Sequence, residues 1–400
     1  MTTATAQFEI QPLFQPQQRN QWNCRYRIPN LLVSRNGVIF ALPEERVNSI
    51  ADESKHHLVL QRSFDNGRTW TDLEVLFAND NPRVSHSYGG GVADLDTGRV
   101  FVFFGVGVVI GPDDIGGAWP EKWKTEHPEE AAALQKKLAP HIDGGRYVIW
   151  TEDDGETWSD PRSLGDTLHV TNPVTGEKRG FGPQFTGIQL RHGPHKGRLI
   201  IPGRGRTQGA PFALYAYDHN YVVYSDDHGE TWQPGGLAQT GTGEACVAEL
   251  SDGTVYLNSR NESLRCRGYR AWDRSHDGGE MFIESGYDLG LPEPHCAASI
   301  ARCSESPNRI LFCNPAVHSD TPTHYDHAAR RNLTVRLSED DCRTWPVGRT
   351  VYEGPAGYSA LAVAIDGTIL CAYETLTEKS YSGTIMLARF NLEWLMGEKK

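Results

Sequence analysis

The sequence predicts an all-β fold, a β-propeller of six blades with four antiparallel strands each. Three observations support this prediction. A turn motif recurs along the 400 residues, a short apolar run with strand character precedes most copies of it, and 41 glycines and 23 prolines suit many tight turns. A ring of blades also protects strand edges, because radial repetition leaves only short edges exposed.

The repeat reads Ser/Thr-x-Asp-x-Gly-x-Thr-Trp. It is complete at Ser63–Trp70, Thr151–Trp158 and Ser225–Trp232, and two weaker copies follow at Ser275–Phe282 and Ser338–Trp345. The aspartate can accept hydrogen bonds from backbone N–H groups of a turn, and the glycine permits a positive φ. Each copy is therefore predicted to be a hairpin turn, and its aspartate a turn former with no catalytic role.

The spacing of the copies sets the number of units. The copies start at positions 63, 151, 225, 275 and 338, a mean interval of about 69 residues that leaves room for about six units. We therefore expect one propeller domain over 1–400. The segment Gly111–Gly145 is predicted to be a loop insertion with a helix over Pro128–Leu138, and Asn391–Leu395 to be a short closing helix.

Composition limits the partners. A net charge of −12 disfavours nucleic acid and anionic membranes, so an anionic substrate would need a local cluster of cations. The sequence contains no run of 18 apolar residues, so no membrane span is predicted. No secretory signal is visible, which favours the cytoplasm and leaves secretion or the periplasm open. Eight cysteines without a C-x-x-C pair indicate free, buried thiols.

Short motifs between the repeats carry the candidate functional residues. They are Tyr26-Arg27-Ile28-Pro29, Arg46 after Glu44-Glu45, Asp52, Gly243-Glu244-Ala245, Asn258-Ser259-Arg260, Arg330, Gly357-Tyr358-Ser359 and Tyr373-Glu374. Together with the repeat, which is similar to the Asp-box, they resemble the sialidases over about 27–374, in order and spacing. Sialidases are six-bladed propellers that hydrolyse terminal sialic acids.

The resemblance implies a role for each residue. Arg27, Arg260 and Arg330 would bind the substrate carboxylate, and Arg46 would be a further pocket arginine. Tyr358 would be the nucleophile, Glu244 its activating base, Asp52 the acid/base, and Glu374 the carboxylate that orients Arg27. Arg330 is favoured over the adjacent Arg331. A sialylated glycan is the expected partner.

Elementary chemistry agrees with these residue types. Arginine presents a planar fork to a carboxylate and stays charged at any relevant pH. A carboxylate nucleophile would be repelled by the carboxylate on the anomeric carbon, and a tyrosine paired with a glutamate avoids that; sialidases with a tyrosine nucleophile are an exception among retaining glycosidases.

Two alternatives stay open. The segment Ser85–Gly91, with Ser87-Tyr88, departs from what the resemblance predicts near the sugar. It favours a related 2-keto sugar acid of the Kdn or Kdo type. Asp-boxes also occur in propellers without catalysis, so a non-catalytic glycan-binding propeller is the other alternative. Linkage preference, hydrolysis versus transfer, and oligomeric state are left open.

No cofactor or metal is expected. His56-His57 and the His324–His327 segment lack a ligand spacing typical of a metal site. Gly203-Arg204-Gly205-Arg206 lacks the Lys-Ser/Thr of a phosphate-binding P-loop.

Overall fold

The computed structural model describes residues 5–52, 54–109, 126–138, 145–171, 176, 178–179, 182–205, 218–263, 265–319, 327–377 and 380–397. Almost all regular structure in them is β-strand, arranged as antiparallel sheets that follow one another along the chain. The first sheet has five strands: β2 (Gln17–Arg19), β3 (Trp22–Val33), β4 (Ile39–Val47), β5 (Lys55–Ser63) and β6 (Glu74–Phe77).

Three four-stranded sheets come next. The second sheet contains β7 (Val84–Ala93), β8 (Val100–Val108), β9 (Gly145–Thr151) and β10 (Arg162–Ser163). The third contains β13 (Ile188–Gln189), β14 (Leu199–Gly205), β15 (His219–Ser225) and β16 (Gln233–Thr240). The fourth contains β17 (Thr242–Glu249), β18 (Val255–Asn261), β19 (Tyr269–Ser275) and β20 (Glu284–Pro292). A two-stranded ribbon, β11 (Val170–Thr171) and β12 (Lys178–Arg179), precedes the third sheet.

The last sheet has seven strands and departs from the predicted uniform blades. It contains β21 (Ser299–Ser304), β22 (Arg309–Pro315), β23 (Arg331–Ser338), β24 (Val347–Val363), β25 (Ile369–Leu376), β26 (Tyr381–Phe390) and β1 (Phe8–Phe14). The cause is β24, which is 17 residues long. Its first half pairs with β23 and its second half with β25, so two sets of strands are joined by one continuous backbone.

The hydrophobic core lies between the sheets. Its main clusters join the first sheet to the second, the second to the third, the third to the fourth, and the fourth to β21–β23, while one packs β22 and β23 against β25 and β26. The remaining large cluster packs Leu370 and Ile385 against Tyr26 and Ile39 of the first sheet. β1 also pairs with β26, with Phe8 opposite Phe390. The described residues therefore form an all-β, propeller-like ring.

The repeat forms the predicted turns. In the third copy the Asp227 carboxylate accepts from the Thr231 backbone N–H at 2.8 Å and the Thr231 hydroxyl at 2.6 Å. Ser225 donates to Asp227, and Gly229 has φ +83°. The aspartates of the other four copies accept the same backbone bond. Their role as turn formers is confirmed.

The expected helices are present. α1 covers Pro128–Leu138, and α2 covers Leu392–Met396 with Asn391 as its N-cap. The rest of the predicted insertion lies mostly outside the described residues. All eight cysteines are free, as predicted, but the expectation that they are buried holds for six of them, since Cys303 is half-buried and Cys266 is exposed. No helix within the described residues is long and apolar enough to span a membrane.

Close packing of the turns predicts a difference between two glycine positions. Gly229 and Gly367 have nearly equal φ, +83° and +84°, so an alanine pays the same backbone cost at either. A Cβ on Gly229 would lie 2.2 Å from the Phe101 ring, whereas nothing lies within 4 Å at Gly367. We expect Gly229→Ala to lower the free energy of unfolding by about 1–3 kcal/mol more than Gly367→Ala, because the ring must move. Denaturant unfolding of both variants measures this, and equal losses would contradict the packing argument.

Candidate active site

The eight predicted site residues come from three sheets, and all are described. Arg27 lies on β3, Arg46 on β4, Glu244 on β17, Arg260 on β18, Tyr358 on β24 and Glu374 on β25, while Asp52 follows β4 and Arg330 immediately precedes β23. The ring brings these distant positions together. Arg330 is buried and Arg331 is exposed, a difference that favours Arg330 as the arginine of the cluster.

Tyr358 and Glu244 form the centre of the cluster. The Tyr358 hydroxyl donates to Glu244 Oε1 at 2.6 Å, and Arg260 Nη1 donates to the Tyr358 oxygen at 3.2 Å. Arg260 Nη1 also forms an ion pair with Glu244, 2.7 Å from Oε2. Burial raises the pKa of Tyr358 well above its usual range, and the Glu244 charge adds to this while Arg260 and Arg330 oppose it. Burial would raise the pKa of Glu244, but Arg260 and Arg204 lower it more. The resting pair is therefore a neutral phenol bonded to a carboxylate.

Three arginines surround the Tyr358 ring. The guanidinium carbons of Arg27 and Arg330 lie 5.4 Å and 5.6 Å from the ring centroid, and Arg260 contacts the hydroxyl. All three are buried. The predicted convergence of Arg27, Arg260 and Arg330 beside Tyr358 is therefore observed. Such a cluster presents several N–H donors to one acidic group.

Glu374 holds Arg27 and the Tyr358 backbone together. It accepts from Arg27 Nε at 3.0 Å, from the Ile28 backbone N–H at 2.8 Å and from the Tyr358 backbone N–H at 3.0 Å. Ile28 has φ +53°, a conformation that is costly for a β-branched residue. The hydrogen bond from Ile28 to Glu374 helps to hold this backbone.

Asp52 lies between two arginines at the mouth of the cluster. Its Oδ1 accepts from Arg27 Nη1 at 3.0 Å and from Arg46 Nη1 at 2.6 Å, while Glu44 binds the other side of Arg46 at 2.7 Å. The Asp52 side chain is 70% exposed. The protein atoms packed around the carboxyl group reduce its hydration, which by itself would raise the pKa of Asp52. The positive charges of Arg46 and Arg27 outweigh this effect and lower that pKa far below the usual range. With these two arginines bound to it, Asp52 is ionised.

Comparison with known proteins places the chain in a family. A BNR repeat-like domain matches residues 117–371, more than half of the chain. The sialidase of Micromonospora viridifaciens is 33% identical over 381 residues, which cover 93% of this chain and 52% of that protein. The chain belongs to the sialidase/BNR-repeat propeller family. It thus spans about half the length of the Micromonospora sialidase.

Further members of the sialidase family show the same relationship. The exo-alpha-sialidase of Arthroderma benhamiae is 26% identical, over 93% of this chain and 84% of that protein. A crystal structure of the intramolecular trans-sialidase from Ruminococcus gnavus, in complex with oseltamivir carboxylate, superimposes with a TM-score of 0.68. It covers 93% of this chain and 96% of that one at 19% identity, a likeness that shows the shared propeller fold.

Several residues of the cluster were not predicted from the sequence. Glu262 binds Arg260 at 2.7 Å and 2.5 Å, and Glu44 binds Arg46. In each pair the two residues are separated by one position. Glu44 and Arg46 lie on one face of β4, and Glu262 directly follows β18, which carries Arg260. That alternation was a usable signal.

Tyr381 and Arg204 had no comparable signal. The Arg27 guanidinium lies 3.4 Å from the centre of the Tyr381 ring, and Arg330 donates to the Tyr381 hydroxyl. Arg204 lies 3.3 Å from Asp218, 3.6 Å from Glu262 and 3.8 Å from Glu244. Only the folded ring brings these residues to the cluster.

Of the histidines considered as metal ligands, His56 and His57 are hydrogen-bonded to other side chains, and His56 lies beside the cluster near Asp52. His57 bonds to Glu45 and His56 to Ser87. Part of His324–His327 lies outside the described residues. Among the described side chains, Asp94, Asp96 and His228 are close enough to share an ion. The Asp94 oxygens already accept from Thr97, Gln189 and the Asp96 backbone, so this group is explained as a turn.

The Glu374 contacts predict a large loss of stability when its charge is removed. Glu374→Gln leaves the buried Arg27 without its full counter-charge, and we expect the free energy of unfolding to fall by about 3 kcal/mol. Glu353→Gln is the matched control, since Glu353 lies on β24 with an exposed side chain. Thermal and denaturant unfolding measure both variants. A loss at Glu374 no larger than at Glu353 would show that the carboxylate is not needed to hold the cluster.

Proposed function

We propose that this chain is a retaining exo-sialidase that hydrolyses terminal α-linked sialic acids with Tyr358 as nucleophile. One observation carries the proposal. The Tyr358 hydroxyl donates to Glu244 within a cluster of three buried arginines. The names of the related proteins support the same activity, namely sialidase and exo-alpha-sialidase.

The arginine cluster would bind the substrate carboxylate. Each charge-assisted hydrogen bond is worth roughly 1.5–3 kcal/mol, so three arginines outweigh the repulsion from a protein with net charge −12. Asp52 accepts a hydrogen bond from Arg27 in this structure. A substrate carboxylate would take over Arg27, weaken one of the two interactions that keep Asp52 ionised, and so raise its pKa toward the range that an acid requires.

The first chemical step then follows from the contacts. The Tyr358 oxygen attacks the anomeric carbon while its proton passes to Glu244, 2.6 Å away. The glycosidic C–O bond breaks, its electron pair goes to the leaving oxygen, and Asp52 supplies the proton to that oxygen. Full ionisation of a free tyrosine at pH 7 would cost about 4 kcal/mol, a cost that the concerted proton transfer avoids.

The second step reverses the roles. Asp52 takes a proton from a water, the water oxygen attacks the anomeric carbon, and the bond to Tyr358 breaks. The phenolate regains its proton from Glu244, and the net configuration is retained. Arg260 and Arg330 would stabilise the negative charge that the tyrosine oxygen carries as this bond breaks.

We also propose that the propeller has six blades in one domain. The first to fourth sheets would each be one blade. The seven-stranded sheet would be two, divided at the middle of β24, where its partner changes from β23 to β25. β1 would complete the last blade through its pairing with β26. A count of six blades agrees with the number of units expected from the mean interval of about 69 residues between repeats.

A non-catalytic glycan-binding propeller is the weaker alternative. That reading requires no particular arrangement of Glu244 and Tyr358, whereas the two are hydrogen-bonded inside the arginine cluster. A related 2-keto sugar acid as substrate has more support. Ser87 and Tyr88 belong to the segment that differs from what the sialidase resemblance predicts, and they line the same pocket as Asp52 and Glu244.

Removing one hydroxyl tests the nucleophile. Tyr358→Phe should lower the kcat of aryl sialoside hydrolysis by at least about a thousandfold, because the attacking atom is lost. The matched control is Tyr352→Phe, on the same strand but packed against Tyr373. We expect it to retain activity and both variants to keep the circular dichroism of the wild type. Full activity in Tyr358→Phe would refute the assignment.

Removing the Arg204 charge tests the electrostatic control of Glu244. Arg204 helps to lower the pKa of Glu244, which must be ionised to accept the Tyr358 proton. In Arg204→Met the pKa of Glu244 rises, so the acid limb of kcat/KM should move to higher pH. Arg331→Met, at an exposed position, is the control. An unmoved acid limb in Arg204→Met would show that Arg204 does not tune Glu244.

A further inference from the structure

A second cationic region lines the proposed active-site pocket. The cavity has a volume of about 370 Å³, and Asp52 and Glu244 lie in its wall. Arg146 and Arg204 also line it, together with Ser87. Neither Arg146 nor Arg204 belongs to the three arginines assigned to the substrate carboxylate.

The sheet aims Arg146 at this pocket. Ser87 on β7 lies opposite Gly105 on β8, and Gly105 lies opposite Arg146 on β9. Side chains at directly opposed positions share one face of a sheet. Gly105 has no side chain, and a Cβ there would lie 2.6 Å from Arg146 Nη1. The Arg146 guanidinium therefore lies across Gly105, in the direction of Ser87. Gly182 also lies against the Arg146 side chain, since a Cβ there would lie 3.4 Å from Arg146 Cδ.

Charge compensation distinguishes the two arginines. Arg204 has three carboxylates within 4 Å, namely Asp218, Glu262 and Glu244. Arg146 has no carboxylate partner among the described residues. Burial lowers the pKa of Arg146, and only Tyr221 opposes this effect. A guanidinium in a pocket wall without a counter-ion gains more from an anion than one already held by carboxylates.

We propose that Arg146 binds a second anionic group of the substrate, so that the preferred substrate is a sialic acid or related 2-keto sugar acid bearing a sulfate or phosphate ester. The inference rests on the proposed function of the same pocket. An ester of this kind carries oxygens that accept both prongs of the Arg146 fork. Among the residues that the structure describes, no carboxylate would have to leave Arg146 for this group to bind. Uncharged hydroxyls of the sugar would leave the Arg146 charge uncompensated.

The test is a comparison of substrates. Aryl sialosides monosulfated at each free hydroxyl, and the unsulfated parent, are hydrolysed by the wild type, by Arg146→Gln and by the control Arg331→Gln. We expect at least one sulfated isomer to exceed the parent tenfold or more in kcat/KM with the wild type and the control. Arg146→Gln should reduce that ratio to about one. A ratio near one in the wild type for every isomer overturns the inference, and so does a preference that survives in Arg146→Gln. A phosphorylated counterpart of the preferred isomer then distinguishes the two esters.

A binding measurement separates this inference from the proposed function. Calorimetry compares the free sugar acid with its monosulfated isomers, without any need for turnover. If the wild type hydrolyses none of the glycosides but binds one sulfated acid at least tenfold more tightly than the parent, and Arg146→Gln does not, the second subsite stands and the hydrolase proposal fails. If the parent glycoside is hydrolysed and no isomer is favoured in either assay, only the second subsite fails.

Discussion

The carboxylate of Glu374 is the interaction on which the rest of the site depends. It accepts from Arg27 and Ile28 of the first sheet and from the backbone of Tyr358 in the last sheet, so one side chain joins the two ends of the ring. Without it, a buried guanidinium would lack its counter-charge and the costly backbone at Ile28 would lose a hydrogen bond. The closing pair β1 and β26 acts on the same seam through the backbone. Glu374 therefore contributes both to the seam that closes the ring and to the arrangement of the site.

The site keeps its arginines by pairing most of them with acids. Glu44 and Asp52 hold Arg46, Glu262 and Glu244 hold Arg260, and Arg204 shares Glu244 with Arg260. A cluster of unpaired cations would be expensive to bury, and a cluster fully neutralised by rigid acids would have no place for a substrate. Asp52 resolves this conflict, because it is exposed and contacts Arg27 through one oxygen. Under the proposed function, it is the counter-ion that a substrate carboxylate would replace most easily.

The sequence predicted more of this architecture than of its contacts. The repeat encodes its own turn chemistry, so the five aspartate turns and the α1 helix could be read locally. The motifs around Arg27, Glu244 and Tyr358 located the cluster through a family resemblance. The 17-residue β24 could not be predicted, because the sequence of a strand does not indicate where along its length the neighbouring hydrogen-bonded strand changes. Tyr381 and Arg204 were missed for the same reason, because their roles arise from positions that only the closed ring brings together.

A phenol suits this electrostatic setting better than a third carboxylate. Glu244 bonds the hydroxyl of Tyr358 and Glu374 bonds its backbone, so an acidic side chain in place of Tyr358 would sit between two carboxylates. One of the close pair would then hold a proton, and the nucleophile would be lost. Under the proposed mechanism, a neutral phenol would bring no charge until it attacks. As its oxygen becomes negative, Arg260 at 3.2 Å and Arg330 beside the ring are already in place. In the proposed mechanism their attraction would therefore be strongest in the charged transition state, which is the condition for catalysis.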